Sequence, residues 1–143
     1  MLLCLALLFG LLVGCGSAAP PSATPPSVVN VLEGLALRGA TIRQAVSGDT
    51  GCDVAPLRGN AVRLVLTLDE TAEQHEIHLF RWRRQAQYDA AAADFAACVE
   101  EYRAASEGGV EVLELAPWRA FGQGWDDELS VVLEESLRAA GGG

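Results

Sequence analysis

The sequence contains no lysine, and its ten arginines are outnumbered by nineteen aspartates and glutamates, which gives a net charge of −9 at pH 7. A nucleic-acid partner needs a basic surface that meets its phosphates, so this balance argues against nucleic-acid binding. It also disfavours electrostatic docking of the whole protein on anionic lipid. Attachment to a membrane is therefore expected to require a covalent anchor.

The sequence also lacks the short motifs that identify many enzymes and metal sites. Neither common glycine-rich phosphate loop is present, and no Gly-x-Ser-x-Gly nucleophile elbow occurs. The histidines and cysteines do not have the paired spacing of zinc ligands, so we expect no metal and no cofactor. His75 and His78 lie three residues apart on a predicted strand, so their side chains should point to opposite faces and have solvent access beside a hairpin.

No apolar run is long enough to cross a membrane, which takes about 20 residues. The run from Leu2 to Val13 is shorter, lies at the N-terminus and is followed by small residues and prolines, as is typical of a secretory signal peptide. The alternative is an uncleaved segment that packs into the core. Burial of Leu7, Leu8 and Leu11 against a sheet would support that alternative.

The residues Leu12-Val13-Gly14-Cys15 resemble the lipobox of bacterial lipoproteins, in which a branched apolar residue and a small residue precede an invariant cysteine. The resemblance covers only residues 1–15. It implies that diacylglycerol is attached to the Cys15 thiol, that residues 1–14 are removed, and that the new amino group is usually acylated. Two or more acyl chains would hold the protein stably at the cell membrane or envelope, with its domain outside the cytoplasm.

Residues 15–27 are predicted to form the lipidated cysteine and a tether. The segment after Cys15 is rich in proline, serine, alanine and threonine, a composition that favours extended backbone and cannot bury a core. Residues 28–140 then have the length of a single globular domain.

The four cysteines have different expected fates. Cys4 is lost with the signal peptide and Cys15 is lipidated, which leaves Cys52 and Cys98 in the domain. Two cysteines in an exported domain usually form a disulfide, although two free thiols remain the alternative. Such a bridge should stabilise the domain by roughly 3 to 4 kcal/mol in the chain-entropy model.

Hydrophobic periodicity predicts three helices and a central hairpin. Strand 61–68 is the clearest element, because Val62, Leu64, Leu66 and Leu68 alternate with other residues at period two. The element order predicts an α+β fold, with a mostly antiparallel sheet of about four strands, helices packed on one face and one disulfide. The helices are expected at 28–38, at 85–105 and after a capping Asp126, and the strands at 40–46, 61–68, 76–82 and 110–115.

Arg81, Arg83 and Arg84 around Trp82 form the only basic cluster in the sequence. A guanidinium group there could bind a carboxylate or a phosphate with two parallel hydrogen bonds. The alternative, which the abundance of acidic residues favours, is local pairing with neighbouring carboxylates.

The segment before the last helix is rich in aromatic residues and glycines. Trp118, Phe121 and Trp125 could line a groove for an apolar ligand or a sugar face, and Arg119 and Gln123 could supply polar contacts. The alternative is that these rings only cover the end of the core.

These patterns predict a membrane-anchored cell-envelope lipoprotein that is a ligand- or protein-binding module rather than an enzyme. Its expected partners are the membrane, through Cys15, and either an envelope protein or a small ligand. One alternative is an envelope enzyme whose dispersed carboxylates, among them Glu111, Glu114, Asp126 and Asp127, converge in a cleft. Another is a purely structural or assembly role.

Overall fold

The fold is built on a five-stranded antiparallel sheet, seen in a computed structural model that describes residues 27–68 and 73–141. The predicted signal peptide, Cys15 and the tether up to residue 26 lie outside the described residues. The strand order is β1-β2-β3-β5-β4. The strands are β1 (Ala40–Ser47), β2 (Ala61–Leu68), β3 (His75–Arg81), β4 (Val110–Leu115) and β5 (Trp118–Gln123).

The α+β class and the antiparallel sheet are confirmed, and the sheet has five strands instead of about four. The additional strand is β5, which pairs with β3 on one side and β4 on the other. Five of the six residues of β5 are buried, so both faces of this strand lie in the core. Its sequence therefore lacks the alternation of apolar and polar residues that a half-exposed strand shows.

Four helices accompany the sheet in the described part of the chain: α1 (Val28–Leu37), α2 (Gln85–Ala90), α3 (Ala92–Ala105) and α4 (Asp127–Gly141). A 3₁₀ segment covers Ala55–Asn60. The helix predicted at 85–105 is interrupted at Ala91, which caps α2. The predicted cap of the last helix is confirmed, since the Asp126 carboxylate accepts a hydrogen bond of 2.7 Å from the backbone N–H of Leu129.

Helices cover both faces of the sheet, which corrects the prediction that they pack on one face. On one face, Leu35 of α1 and Leu133 of α4 pack with Leu64 of β2. On the other face, Phe95 and Val99 of α3 belong to a second core together with aromatic side chains of β3 and β5. The reason is that β3 and β5 carry large apolar side chains on both sides, and each side must be kept from water.

The predicted disulfide between Cys52 and Cys98 is confirmed. It joins the loop after β1 to α3, closes a sequence separation of 46 residues and has a Cα–Cα distance of 5.4 Å. Cys98 is fully buried in the second core. The bridge therefore fixes the segment between β1 and β2 against the helix on that face.

None of the helices in residues 27–68 and 73–141 is both long and apolar enough to span a membrane.

Candidate anion-binding groove

The aromatic segment predicted as a ligand site lies in the core. Trp118 and Phe121 are fully buried, and Trp125 is only 8% exposed. Because side chains of a strand alternate between its faces, Trp118 packs in the core under α1 and α4 and Phe121 in the core under α3. These rings cannot line one groove, which corrects the ligand-site prediction in favour of its alternative. Gln123, at the end of β5, is the partly exposed member of the set.

Arg119 of the same segment is buried and has a structural role. Its Nε donates a hydrogen bond of 2.7 Å to Glu114, and its Nη1 donates one of 2.9 Å to the backbone oxygen of Tyr88. The guanidinium also lies 3.9 Å from the centre of the Tyr88 ring. An arginine satisfied in this way is engaged within the protein and is not free to hold a ligand.

Both histidines are buried, whereas the sequence predicted solvent access. They do point to opposite faces of β3, as predicted: His75 Nδ1 lies 3.2 Å from the backbone oxygen of Gly124, and the ring of His78 stacks on Phe121 at 5.0 Å. Their burial follows from the central position of β3, whose two faces are both covered by helices.

His78 belongs to a network of charged groups at the edge of the second core. His78 Nε2 lies 3.0 Å from Glu76, and the other carboxylate oxygen of Glu76 accepts a hydrogen bond of 3.1 Å from Arg63. Arg63 also donates a hydrogen bond of 2.7 Å to Asp49, and the Tyr102 hydroxyl lies 3.3 Å from Glu76. The carboxylates of this network are thus joined through a cation.

The network shifts the pKa of three of its members, and that of Arg63 is raised by its hydrogen bond to Asp49. Burial acts to raise the pKa of Asp49, but hydrogen bonds from Arg63 and from the backbone N–H of Gly51 outweigh it and hold that pKa below its ordinary value. Burial raises the pKa of Tyr102, and the nearby carboxylate of Glu76 raises it further. The opposite shifts of Asp49 and Arg63 thus reflect their mutual hydrogen bond, and that of Tyr102 mainly reflects burial.

The four carboxylates proposed for an enzyme do not form a common cleft. Glu111 and Glu114 are on opposite faces of β4, since Glu111 borders a cavity beside α4 while Glu114 binds Arg119 on the α3 side. Asp126 caps α4, and Asp127 is exposed in its first turn. No cluster of histidine, cysteine or carboxylate side chains in the described ranges could hold a metal ion.

The predicted basic cluster contributes to an open cavity of about 470 Å³ at one end of the sheet. We call this cavity the basic groove and define it by its three arginines, Arg58, Arg81 and Arg83. The register places the end of β1 beside the start of β2, where Ser47 pairs with Val62, and the end of β3 lies next to them. The walls of the groove are therefore formed by the end of β1, the start of β2, the end of β3 and the 3₁₀ segment.

The arginines of the basic groove are poorly neutralised by the protein. Arg81 and Arg83 form no ion pair with any described residue, although local pairing was the favoured expectation from the sequence. The Nε of Arg81 is buried and has no hydrogen-bond partner among them. Arg58 pairs at 3.0 Å with Asp53, but both side chains are mostly exposed and the pair is correspondingly weak. The expectation was wrong because no carboxylate lines this cavity.

The start of α1 adds to the positive potential of the groove. Val28, the first residue of the helix, lines the cavity, and the first turn contains no acidic residue. The first N–H groups of a helix carry a partial positive charge that attracts anions. Ser27 uses its hydroxyl to accept a hydrogen bond of 3.2 Å from Val29, which neutralises only part of that charge.

The groove has the chemistry of a binding site for an anion. Its guanidinium groups can donate paired hydrogen bonds to a carboxylate or a phosphate, and the side chains of Ser47 and Asn60 provide neutral polar contacts. Its lining includes no histidine, cysteine or carboxylate that could serve as a base or an activated nucleophile. The arrangement therefore supports recognition of an anion.

Sequence reasoning identified two of the three arginines and missed Arg58. Arg81 and Arg83 stand out as neighbours in the sequence, whereas Arg58 is an isolated arginine between Leu57 and Gly59. Only the pairing of β2 with β3 brings the 3₁₀ segment beside the end of β3. No local signal in the sequence distinguishes Arg58 from other exposed arginines.

Comparison with known proteins gives no relative for this arrangement: no family model, no curated protein and no solved structure matches the chain.

Proposed function

We propose that this protein is a lipid-anchored binding protein of the cell envelope that takes a small carboxylate- or phosphate-bearing ligand in the basic groove. The observation that carries the proposal is the presence of Arg81 and Arg83, without ion pairs to described residues, in one cavity of a protein whose net charge is −9. In so acidic a chain, cations are readily neutralised unless the fold keeps them apart from acids.

Leaving the arginines of the groove without partners costs free energy. A buried donor without an acceptor costs roughly 1 to 3 kcal/mol, and the Nε of Arg81 is such a donor. Like charges that face one cavity also repel one another. A bound anion would offset the repulsion, because it brings opposite charge into the cavity.

The anchor is supported by the sequence. The lipobox-like residues ending at Cys15 precede a proline-rich segment that leads directly to the first residue of α1. Acylation at Cys15 would hold the domain at a membrane surface without help from its overall charge. The mass of the intact protein extracted from membranes tests this part of the proposal.

The binding site is tested by titrating the full-length protein, purified from membranes, with inorganic phosphate and with citrate in an isothermal calorimeter. Arg81→Gln and Arg83→Gln should each weaken binding by about tenfold, which corresponds to the loss of one charge-assisted hydrogen bond. Arg43→Gln is the matched control, since Arg43 is exposed, makes no ion pair with a described residue and lies outside the groove.

Retained binding in the control and loss in both groove variants would support the site. Equal affinity of all variants, or no binding of either anion to the unmodified protein, would refute it.

A further inference from the structure

We infer that the anion recognised by the basic groove is the phosphate of a membrane lipid headgroup, so that the groove docks the domain on the membrane that carries its anchor. This inference rests on the proposed anchor and on the proposed anion site. It adds the source of the phosphate and the orientation of the domain.

The position of the groove relative to the chain entry favours a lipid as the source of the phosphate. Val28 lines the cavity and is the first residue of α1, so the groove lies at the point where the segment from Cys15 enters the domain. The segment 16–27 can span at most about 40 Å when fully extended. An anchor at Cys15 therefore keeps this end of the domain within reach of the headgroups.

The charge of the groove favours a phosphate over a carboxylate. Three guanidinium groups and the start of a helix provide more positive charge than a single carboxylate requires, and they match the several oxygens of a phosphate. Arg84, exposed and without an ion pair to a described residue, follows Arg83 directly and extends the basic surface. The phosphate is therefore the anion that fits this site best.

The mixed polar and apolar walls of the groove favour a lipid headgroup over free inorganic phosphate. Val28, Ala61 and Val62 add apolar surface beside the arginines. A lipid headgroup presents its phosphate next to the carbon atoms of glycerol, so both kinds of wall would have a partner. Inorganic phosphate would use only the arginines.

The overall charge then determines which end of the domain can face an anionic bilayer. With a net charge of −9, most of the surface is repelled, as the composition predicts. The basic groove is the local exception, and the repulsion elsewhere restricts docking to this end. The acidic composition and specific lipid binding are thus compatible.

The experiment uses the acylated full-length protein reconstituted in nanodiscs, either of phosphatidylcholine alone or of phosphatidylcholine with phosphatidylglycerol. Hydrogen–deuterium exchange is followed by mass spectrometry in both. Phosphatidylcholine also carries a phosphate, but its choline cation neutralises that charge. Docking should therefore slow exchange in residues 47–48, 58–62 and 81–83 only when the anionic phosphatidylglycerol is present. Free glycerol 3-phosphate, added to the protein in phosphatidylcholine nanodiscs, should protect the same segments.

In the double variant R81Q/R83Q, neither phosphatidylglycerol nor glycerol 3-phosphate should slow exchange in these segments. The control variant R43Q/R138Q removes the same amount of positive charge outside the groove. Phosphatidylglycerol and glycerol 3-phosphate should still slow exchange in this variant, because Arg138 pairs with Glu134 on α4 and not with the groove.

Protection by glycerol 3-phosphate without any effect of phosphatidylglycerol would overturn the lipid inference and leave the anion site in place. Protection by phosphatidylglycerol that persists in R81Q/R83Q would overturn it as well, because the lipid would then act elsewhere. If neither phosphate protects the groove, both the inference and the anion site fail.

Discussion

Partly buried charges at the edge of the second core are held by a network in which a cation lies between the acids. Arg63 donates hydrogen bonds to both Asp49 and Glu76, and Glu76 in turn contacts His78. His78 is fully enclosed, between the ring of Phe121 and the backbone of Gly51. Such a network stabilises one geometry of the loop after β1 instead of exposing a reactive group.

Replacing Asp49 with asparagine should make the protein less stable in a pH-dependent manner. The folded state holds the pKa of Asp49 below its usual 3.8, so the carboxylate contributes stability above that pH and loses it as the pH falls through the lower, folded-state pKa. We expect Asp49→Asn to cost about 1 kcal/mol at neutral pH, a modest value because the side chain is 37% exposed and solvent screens it.

Urea denaturation across the acid range measures this effect. The difference between the two proteins should shrink as the pH falls below 3.8. Glu73→Gln, which removes an exposed carboxylate without an ion pair to a described residue, should show no such trend. A constant difference at every pH would contradict the assignment.

Gly51 combines a left-handed backbone with close packing, and both should penalise a side chain. Its φ is +72°, and a Cβ atom would lie 2.6 Å from the His78 ring. We expect Gly51→Ala to lower the free energy of unfolding by about 2 to 4 kcal/mol, because backbone strain and overpacking add.

Gly124→Ala separates the two causes. Gly124 has nearly the same φ, +70°, but a Cβ there would have no neighbour within 4 Å, so only about 1 kcal/mol should be lost. Chemical denaturation of both variants measures the difference. An equal loss of unfolding free energy in Gly51→Ala and Gly124→Ala would show that the close approach to the His78 ring does not destabilise the protein.

Among the elements, the segment between β1 and β2 depends most on a single bond. It contains the 3₁₀ segment Ala55–Asn60, supplies Arg58 to the basic groove and is joined to α3 by the disulfide. The bridge therefore connects the core under α3 with one wall of the groove.

Removal of the disulfide with Cys52→Ala/Cys98→Ala should lower the free energy of unfolding by about 3 to 4 kcal/mol, because the unfolded chain gains the freedom of an open loop. Thermal denaturation with and without a reducing agent measures the effect. The reducing agent should destabilise the unmodified protein and leave the double variant unchanged. A loss close to zero would mean that the bridge does not constrain the unfolded chain.

How well the elements could be predicted depended on their exposure. The bounds of β2 and β4 agree with the sequence prediction, and the helix after Asp126 has the expected cap. β5 was missed because it is buried on both faces and shows neither strand nor helix periodicity. The break between α2 and α3 was missed because alanine, the residue at position 91, is a good helix former.

At the scale of the whole molecule, an acidic body carries one basic end beside the start of the domain. A carboxylate-free groove with three arginines is the exception to a net charge of −9. The described part of the chain begins at this end, since Val28 of α1 lines the groove.

Cys15→Ser should abolish acylation, since the hydroxyl replaces the thiol that the lipobox resemblance assigns to diacylglycerol. We expect the variant to keep residues 1–14 and to lack the added mass of the lipid, as measured by mass spectrometry of the intact protein from membrane extracts. Cys4→Ser changes a cysteine of the predicted signal peptide and should leave the acylated mature mass unaltered. An unmodified Cys15 in the native protein would refute the anchor.

The sequence by itself determined the features that depend on neighbouring residues. These include the α+β class, the bounds of β2 and β4, the Asp126 cap and the pairing of Cys52 with Cys98, because periodicity, capping and the number of available thiols are local or countable properties. The proposed lipid anchor also rests on sequence alone.

Only the tertiary structure decided which side chains are enclosed and which arginines meet. Strand pairing buried His78 and Arg119, and it brought Arg58 beside Arg81 although 22 intervening residues separate them in the chain. The reason is that burial and long-range proximity depend on which strands become neighbours, and this depends on packing across both faces of the sheet.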